Sequence, residues 1–259
     1  QPPAPTRDAT LPLHQQHIPN YCRFTDSHAN DQDTPHTLQQ NATIGDAISE
    51  IKPDATTRVY VQNMNGINVT PDGGNLHEIM SNLSNISTDI AGFTEPNLDN
   101  TKSKIKTLIH DTTKKYNPHR RVWIAGTPTP AVYDTKPGGI LSVTRGNFSG
   151  RIQQVKCDPM GRWIQHVFSC KSNTSRLHII FAYQACQTSG ESDSNTVYAQ
   201  QKAILRQQFP HTNHHPRHHF YLDLNSLITN ITQNHEEILL MGDFNETIGQ
   251  KDDTGMTRI

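Results

Sequence analysis

Residues 237–246 read Glu237-Ile238-Leu239-Leu240-Met241-Gly242-Asp243-Phe244-Asn245-Glu246. The apolar run from Ile238 to Met241, closed by a glycine, predicts a fully buried strand. A carboxylate and an amide follow at once, where that strand ends. Two earlier segments repeat the arrangement. Arg58-Val59-Tyr60-Val61-Gln62-Asn63 is rich in β-branched and aromatic residues and predicts a short strand with Asn63 at its exit. Asp89-Ile90-Ala91-Gly92-Phe93 predicts another, ending at Thr94-Glu95. In layered α/β folds the carboxyl ends of strands commonly build the site. Two carboxylates and two amides form an all-oxygen set that suits a hard cation such as Mg²⁺ better than zinc. Taken singly, each of these residues also suits a strand cap or the start of a turn.

Between the strands the hydrophobic period changes from two to about 3.6. Leu76, Ile79, Met80, Leu83 and Ile86 predict an amphipathic helix, with Asn75 and Glu78 as its capping box. Ile105, Leu108, Ile109, Thr112 and Tyr116 predict a second helix, followed by a strand at Arg121–Ala125. Gly139–Thr144, Arg151–Cys157, Arg162–Ser169 and Arg176–Tyr183 are closely spaced and predict a four-strand antiparallel meander. Helical patterns over Thr196–Gln208 and Arg217–Gln233 precede the last strand. The order β-α-β-α-β, a β meander, then α-α-β is an α/β (α+β) layered pattern.

The 259 residues are only 33% hydrophobic, below the roughly 45–50% of a typical soluble domain, so part of the chain is expected not to fold. Residues 1–56 are polar and rich in Pro, Gln and His, with three basic and seven acidic side chains, and are expected to form a disordered tail with at most a short helix near Ile44–Ile51. Residues 57–259 carry 20 basic and 17 acidic side chains, so a net charge of −1 hides a mildly basic folded part. There is no run of 18 apolar residues, which excludes a transmembrane helix, and no membrane contact is inferred. Four widely spaced cysteines and the lack of a visible signal peptide point to a nuclear or cytoplasmic protein rather than a secreted one.

Two further clusters bear on partners. The stretch Lys102–Arg121 holds seven Lys and Arg against one acid, Asp111, and reads either as a solvated helix face or as a groove contact to a phosphate backbone. His211, His214, His215, His218 and His219 are irregularly spaced around Pro210 and Pro216 and read as an exposed loop or helix start rather than a metal site.

Taken together and in order, Gln62-Asn63-Met64-Asn65-Gly66-Ile67, Gly92-Phe93-Thr94-Glu95-Pro96-Asn97 and Gly242-Asp243-Phe244-Asn245 resemble the motifs of the endonuclease/exonuclease/phosphatase family. The resemblance covers about residues 57–250. The Gln62–Gly66 start and Lys136-Pro137-Gly138-Gly139 look most like the endonuclease domains of non-LTR retrotransposons. It implies a four-layer sandwich of two mixed β-sheets flanked by helices, and a Mg²⁺-dependent phosphodiester hydrolase acting on DNA, with no protein partner inferred. It implies Glu95 as the principal metal ligand with Asn63 beside the metal, and Asp243 and Asn245 as the pair that orient the attacking water and hold the phosphate. Tyr183 matches a position that faces the phosphate, and Asn65 is a candidate phosphate contact; Gly161-Arg162 resembles the Gly-Arg that opens the preceding strand, so Arg162 is a candidate either for a phosphate contact or for a surface salt bridge. Members also carry a closing Asp-His pair. No His follows Asn245 here, so the chain is expected to be a C-terminally incomplete fragment, or impaired as it stands. A phosphatase for small-molecule or lipid phosphates, and a non-catalytic remnant or nucleic-acid-binding module, are the alternatives.

Overall fold

A computed structural model of the protein describes residues 52–72, 74–129, 131, 135–169, 175–187, 195–211 and 215–246. The expected tail up to residue 51, including the short helix near Ile44–Ile51, lies outside the described residues, as do His214 and residues 247–259. The elements are β1 (Val59–Asn63), α1 (Asn75–Asn85), β2 (Ile90–Thr94), α2 (Ser103–Tyr116), β3 (Arg121–Ala125), β4 (Ile140–Thr144), α3 (Gly146–Gly150), β5 (Ile152–Cys157), β6 (Trp163–Ser169), β7 (Arg176–Tyr183), α4 (Val197–Gln208), α5 (Pro216–Gln233) and β8 (Glu237–Asp243). Among the described residues no helix is long and apolar enough to cross a membrane.

Two mixed four-stranded sheets result, in the orders β1-β2-β4-β3 and β5-β6-β7-β8. In the first, β1 and β2 are parallel, joined through α1, and β4 runs antiparallel to both β2 and β3. In the second, β5, β6 and β7 form an antiparallel meander, and β8 returns parallel to β7 after α4 and α5. The expected four-strand meander is therefore three strands long. Its first member, β4, pairs with β2 and β3 in the other sheet, and the short helix α3, which carries no clear sequence signal, makes the passage between sheets.

Apolar burial defines the layers. Leu76, Met80 and Leu83 of α1 and Ile105 and Ile109 of α2 pack on Ala91, Phe93, Leu141 and Val143 of the first sheet. Ile90 and Ile140 from that sheet meet Ile164, Phe168, Ile179 and Phe181 from the second. Phe220, Leu224 and Ile231 of α5 cover Trp163, Ile180 and Ala182 on its far face. This is a four-layer α/β sandwich, helices–sheet–sheet–helices. Gly92 permits the close approach at the middle seam, because a Cβ there would lie 2.1 Å from the Phe181 ring.

Two local expectations change. Helix α1 begins at Asn75 itself, with Gly74 at the cap position and no side-chain cap; Asn75 Oδ1 instead accepts from the Asn68 backbone N–H at 2.7 Å, tying down the preceding loop. Strand β8 is not fully buried. It is the last strand of its sheet, so one flank lacks a neighbour among the described residues, and Leu239 is 36% exposed. Its apolar run instead serves two layers, with Ile238 and Leu240 against α5 and Met241 toward the inter-sheet core.

Candidate active site at the strand exits

The parallel pairs β1/β2 and β7/β8 end at the same side of the sandwich, with β8 beside β1 and β2 across the seam. Their exits carry Asn63, Glu95, Tyr183, Asp243 and Asn245. Register places Asn63 opposite Thr94 and Tyr183 opposite Asp243. Across the seam, Asn63 Nδ2 donates to Asp243 Oδ2 at 2.6 Å. The Asn245 backbone N–H donates to Asp243 Oδ1 at 2.9 Å, so both oxygens of that carboxylate are oriented. The Tyr183 hydroxyl lies close enough to the Glu95 carboxylate to feel its charge. Burial, and then the nearby charges of Glu95 and Asp243, push the Tyr183 phenol well above its ordinary range, which keeps it protonated. The same two carboxylates, after burial itself, raise the Cys186 thiol. Glu95 and Asp243 thus act on common neighbours, and both are half-buried, whereas Asn63 and Asn65 are exposed.

The backbone at these exits is unusual. Asn65, Glu95, Asn97 and Asn245 all have positive φ, at 45°, 51°, 54° and 46°. Asparagine tolerates this region, but a glutamate there is uncommon and persists only where its surroundings over-determine it. They do so here. Glu95 N–H donates to Gly139 O at 3.2 Å, and its carbonyl accepts from Gly66 N–H at 2.8 Å. Two residues on, the Asn97 N–H donates to Gly138 O at 3.2 Å, and Asn97 Oδ1 accepts from Gly138 N–H at 2.7 Å. Behind this clasp, the buried Lys136 ammonium donates to Asn100 Oδ1 at 3.2 Å and to Thr127 O, and sits 3.9 Å from Asp99. Burial would raise the Asp99 carboxyl, but hydrogen bonds from Thr101 and Ala131 and the Lys136 charge outweigh it and hold Asp99 below the ordinary carboxylate range. Lys136 therefore braces the loop behind Glu95 from within the protein.

Asn65 stands beside the group, its backbone N–H donating to Asn63 Oδ1 at 2.9 Å. Arg162 does not join it. Its guanidinium is buried on the opposite face of the second sheet, paired with Asp158 at 2.7 Å and Asp223 at 2.8 Å and stacked 4.6 Å from the Trp163 ring. The basic stretch also divides. Arg121 pairs with Thr144, which pairs with Ile90 at the start of β2, so Arg120 and Arg121 lie at the end of the sheet opposite Glu95. Arg120 donates to His110 O at 2.7 Å, supporting the C-terminal end of α2. Two surface cavities, about 490 and 440 Å³, lie along α2 with β3 and at its far end with α3, away from the strand exits. The histidines at 211 and 215–219 flank and open α5, and no group of three or more His, Cys, Asp and Glu able to hold a metal ion occurs among the described residues.

Several site neighbours carry little sequence signal: Asn97, which clasps Glu95; Gln184, whose carbonyl accepts from Asn245 Nδ2 at 2.6 Å; and Arg217, Tyr221 and Glu246 behind them. Glu246 is adjacent to a motif, but Arg217 is hidden in the histidine-rich run.

No family model matches the chain, and no curated protein does either. Solved structures do. The 3′ phosphatase NExo from Neisseria, bound to a product DNA hairpin, is 17% identical with a TM-score of 0.44; the alignment covers 74% of this chain and 59% of that one. An AP endonuclease from Archaeoglobus fulgidus is 14% identical, TM-score 0.42, covering 75% and 60%. An endonuclease/exonuclease/phosphatase family protein from Leptotrichia buccalis is 9% identical, TM-score 0.35, covering 61% and 64%. The chain thus spans about three fifths of the length of these proteins. It is to these solved structures, one of them described as an endonuclease/exonuclease/phosphatase family protein, that the chain is similar.

Proposed function

We propose that this chain carries the site of a Mg²⁺-dependent phosphodiester hydrolase of the retroelement endonuclease type, acting on DNA in the nucleus or cytoplasm. The observation that carries the reading is the convergence of five polar side chains from four strand exits, tied by the Asn63–Asp243 and Asn245–Asp243 hydrogen bonds, with Glu95 and Asp243 both acting on Tyr183. The available donors are carboxylate and amide oxygens, the set a hard divalent cation prefers. Glu95, with Asn63 beside it, would hold Mg²⁺, which when bound supplies positive charge against the phosphate oxygens.

The protein's own groups account for the rest. Asp243 is held by Asn63 and the Asn245 amide and retains free lone pairs, so it can accept a proton from an attacking water. Asn245 uses one amide hydrogen on Gln184 O, and the second is available to a phosphate oxygen. Tyr183, kept protonated by burial and by two carboxylates, is a donor and not a base. The left-handed Glu95 is aimed before substrate arrives, which reduces reorganisation during reaction.

Nicking of supercoiled plasmid with Mg²⁺, paired with calorimetric Mg²⁺ binding, tests the reading. Glu95→Ala is expected to lower nicking by at least about 100-fold and to weaken metal binding with little change in melting temperature. Wild-type protein that binds no divalent cation and nicks no plasmid would overturn it. DNA binding without nicking would favour the non-catalytic module.

A further inference from the structure

We infer that Arg217, in the first turn of α5, is the positioning residue that holds both exits of the second sheet in register with each other, an inference that rests on the hydrolase reading above. Its guanidinium reaches three acceptors on two separate loops. Nη1 donates to Ala185 O at 2.9 Å, on the exit of β7. Nη2 donates to Asn245 O at 3.1 Å and to the Glu246 carboxylate, on the exit of β8. Both side chains of the Arg217–Glu246 pair are only 11% exposed. The Tyr221 hydroxyl, one helical turn further along α5, donates to the same Glu246 oxygen at 2.7 Å. Burial and that carboxylate push the Tyr221 phenol up to about 12, so it remains a donor.

These bonds end on the residues that would do the chemistry. The Asn245 peptide is gripped from both sides: its N–H by Asp243 Oδ1, its carbonyl by Arg217. Its side chain is anchored on Gln184 O, one residue after Tyr183. Asparagine tolerates the left-handed φ of 46° at Asn245, and these bonds fix it there where no regular ladder does. A planar guanidinium with five fixed donors can bridge three acceptors; an ammonium at the end of a flexible stem cannot hold the same geometry. Arg217 therefore sets where Asp243 and Asn245 stand relative to Tyr183, without itself facing the substrate.

The test uses the full chain with Arg217→Lys and Tyr221→Phe, the latter removing one hydrogen bond while leaving the guanidinium. Hydrogen exchange at residues 184–186 and 243–246 is expected to rise by at least about tenfold in Arg217→Lys and less in Tyr221→Phe, with β5 and β6 unchanged. In plasmid nicking, Arg217→Lys is expected to lose about 100-fold in kcat with KM nearly constant, the signature of a misplaced reacting group. Unchanged exchange at both exits would overturn the inference. So would an equal rise throughout the sheet, which would mean that the helix has merely loosened. A wild-type chain that neither binds a divalent cation nor nicks overturns the hydrolase reading instead, and exchange still decides whether Arg217 joins the two exits.

Discussion

Arg162, buried, and Arg217, largely buried, both carry guanidiniums that tie α5 to the second sheet, and they do so for different ends. Arg162 immediately precedes β6 and closes its circuit on carboxylates, Asp158 beside it and Asp223 on the helix. Its side-chain bonds finish there, on the face toward the helix, while its backbone carbonyl accepts from Tyr183 N–H at 2.8 Å as part of the sheet. Arg217 starts from the helix and ends mainly on backbone carbonyls of the two loops that carry Tyr183, Asp243 and Asn245. One arginine fixes where the helix lies; the other fixes where the loops lie. Residue type and burial alone do not separate these roles. The acceptors do.

The largest effect expected from this contrast is on Arg162. The Asp158 carboxylate accepts from Met160 N–H, Arg162 N–H and two guanidinium nitrogens, and it is almost fully buried. Removing the guanidinium strands that charge. Arg162→Ala is therefore expected to cost about 3–5 kcal/mol, read as a fall in melting temperature and in urea midpoint. Whatever fraction stays folded is expected to keep its protected exits and its metal affinity. A stably folded Arg162→Ala that loses Mg²⁺ binding would erase the distinction between the two arginines.

The two also differ in how far the sequence exposes them. Gly161-Arg162 resembles a family pattern, which leaves a phosphate contact and a salt bridge both open; a pattern of neighbours in sequence carries no information about which face of the sheet the side chain takes. Arg217 stands in a histidine-rich helix start with no motif at all, because its partners are 28 and 32 residues away. The layered class, eight strands and four of the five helices were legible, since hydrophobic period and turn residues are local. The transfer of β4 to the first sheet was not, because strand partnership depends on the passage through α3. Asn63, Glu95, Asp243 and Asn245 were legible as strand exits, and Tyr183 only through the family resemblance; the left-handed geometry that aims Glu95 rests on Gly66, Gly138 and Gly139, which no single segment reveals.

Acid separates the arginine ties from the middle seam. Guanidiniums do not titrate under these conditions. His166, wholly buried between the sheets and bonded to Ser142 at 2.8 Å, does: burial lowers its pKa from 6.5 to about 3. Below pH 6.5 the unfolded chain binds a proton at this residue that the folded chain refuses, so stability declines as pH falls. Above 6.5 both states are neutral there and the contribution vanishes. Between pH 6.5 and 4.5 the loss from this group is expected to reach about 2–3 kcal/mol. His166→Gln should flatten that part of the stability profile, whereas Arg217→Lys should shift the whole curve with its slope kept. An unaltered slope in His166→Gln would move the acid sensitivity to the helix ties.

The smallest effect sharpens the account of Arg162 itself. Its two carboxylates are not equivalent: the Asp158 side chain is 2% exposed and that of Asp223 is 46% exposed, although the distances, 2.7 and 2.8 Å, are nearly the same. Solvent screens the outer pair, and water can replace the lost partner at no great penalty, so Asp223→Asn is expected to cost at most about 1 kcal/mol. It should also be the variant most sensitive to salt, with the difference from wild type shrinking as ionic strength rises. A double-mutant cycle of Arg162→Met with Asp223→Asn measures this coupling directly. A coupling well above about 1 kcal/mol would mean that Arg162 holds α5 chiefly through Asp223. A coupling near zero would leave the helix held here by Phe220, Leu224 and Ile231 on the sheet, and at its first turn by Arg217, the only one of the two arginines whose acceptors lie at the strand exits.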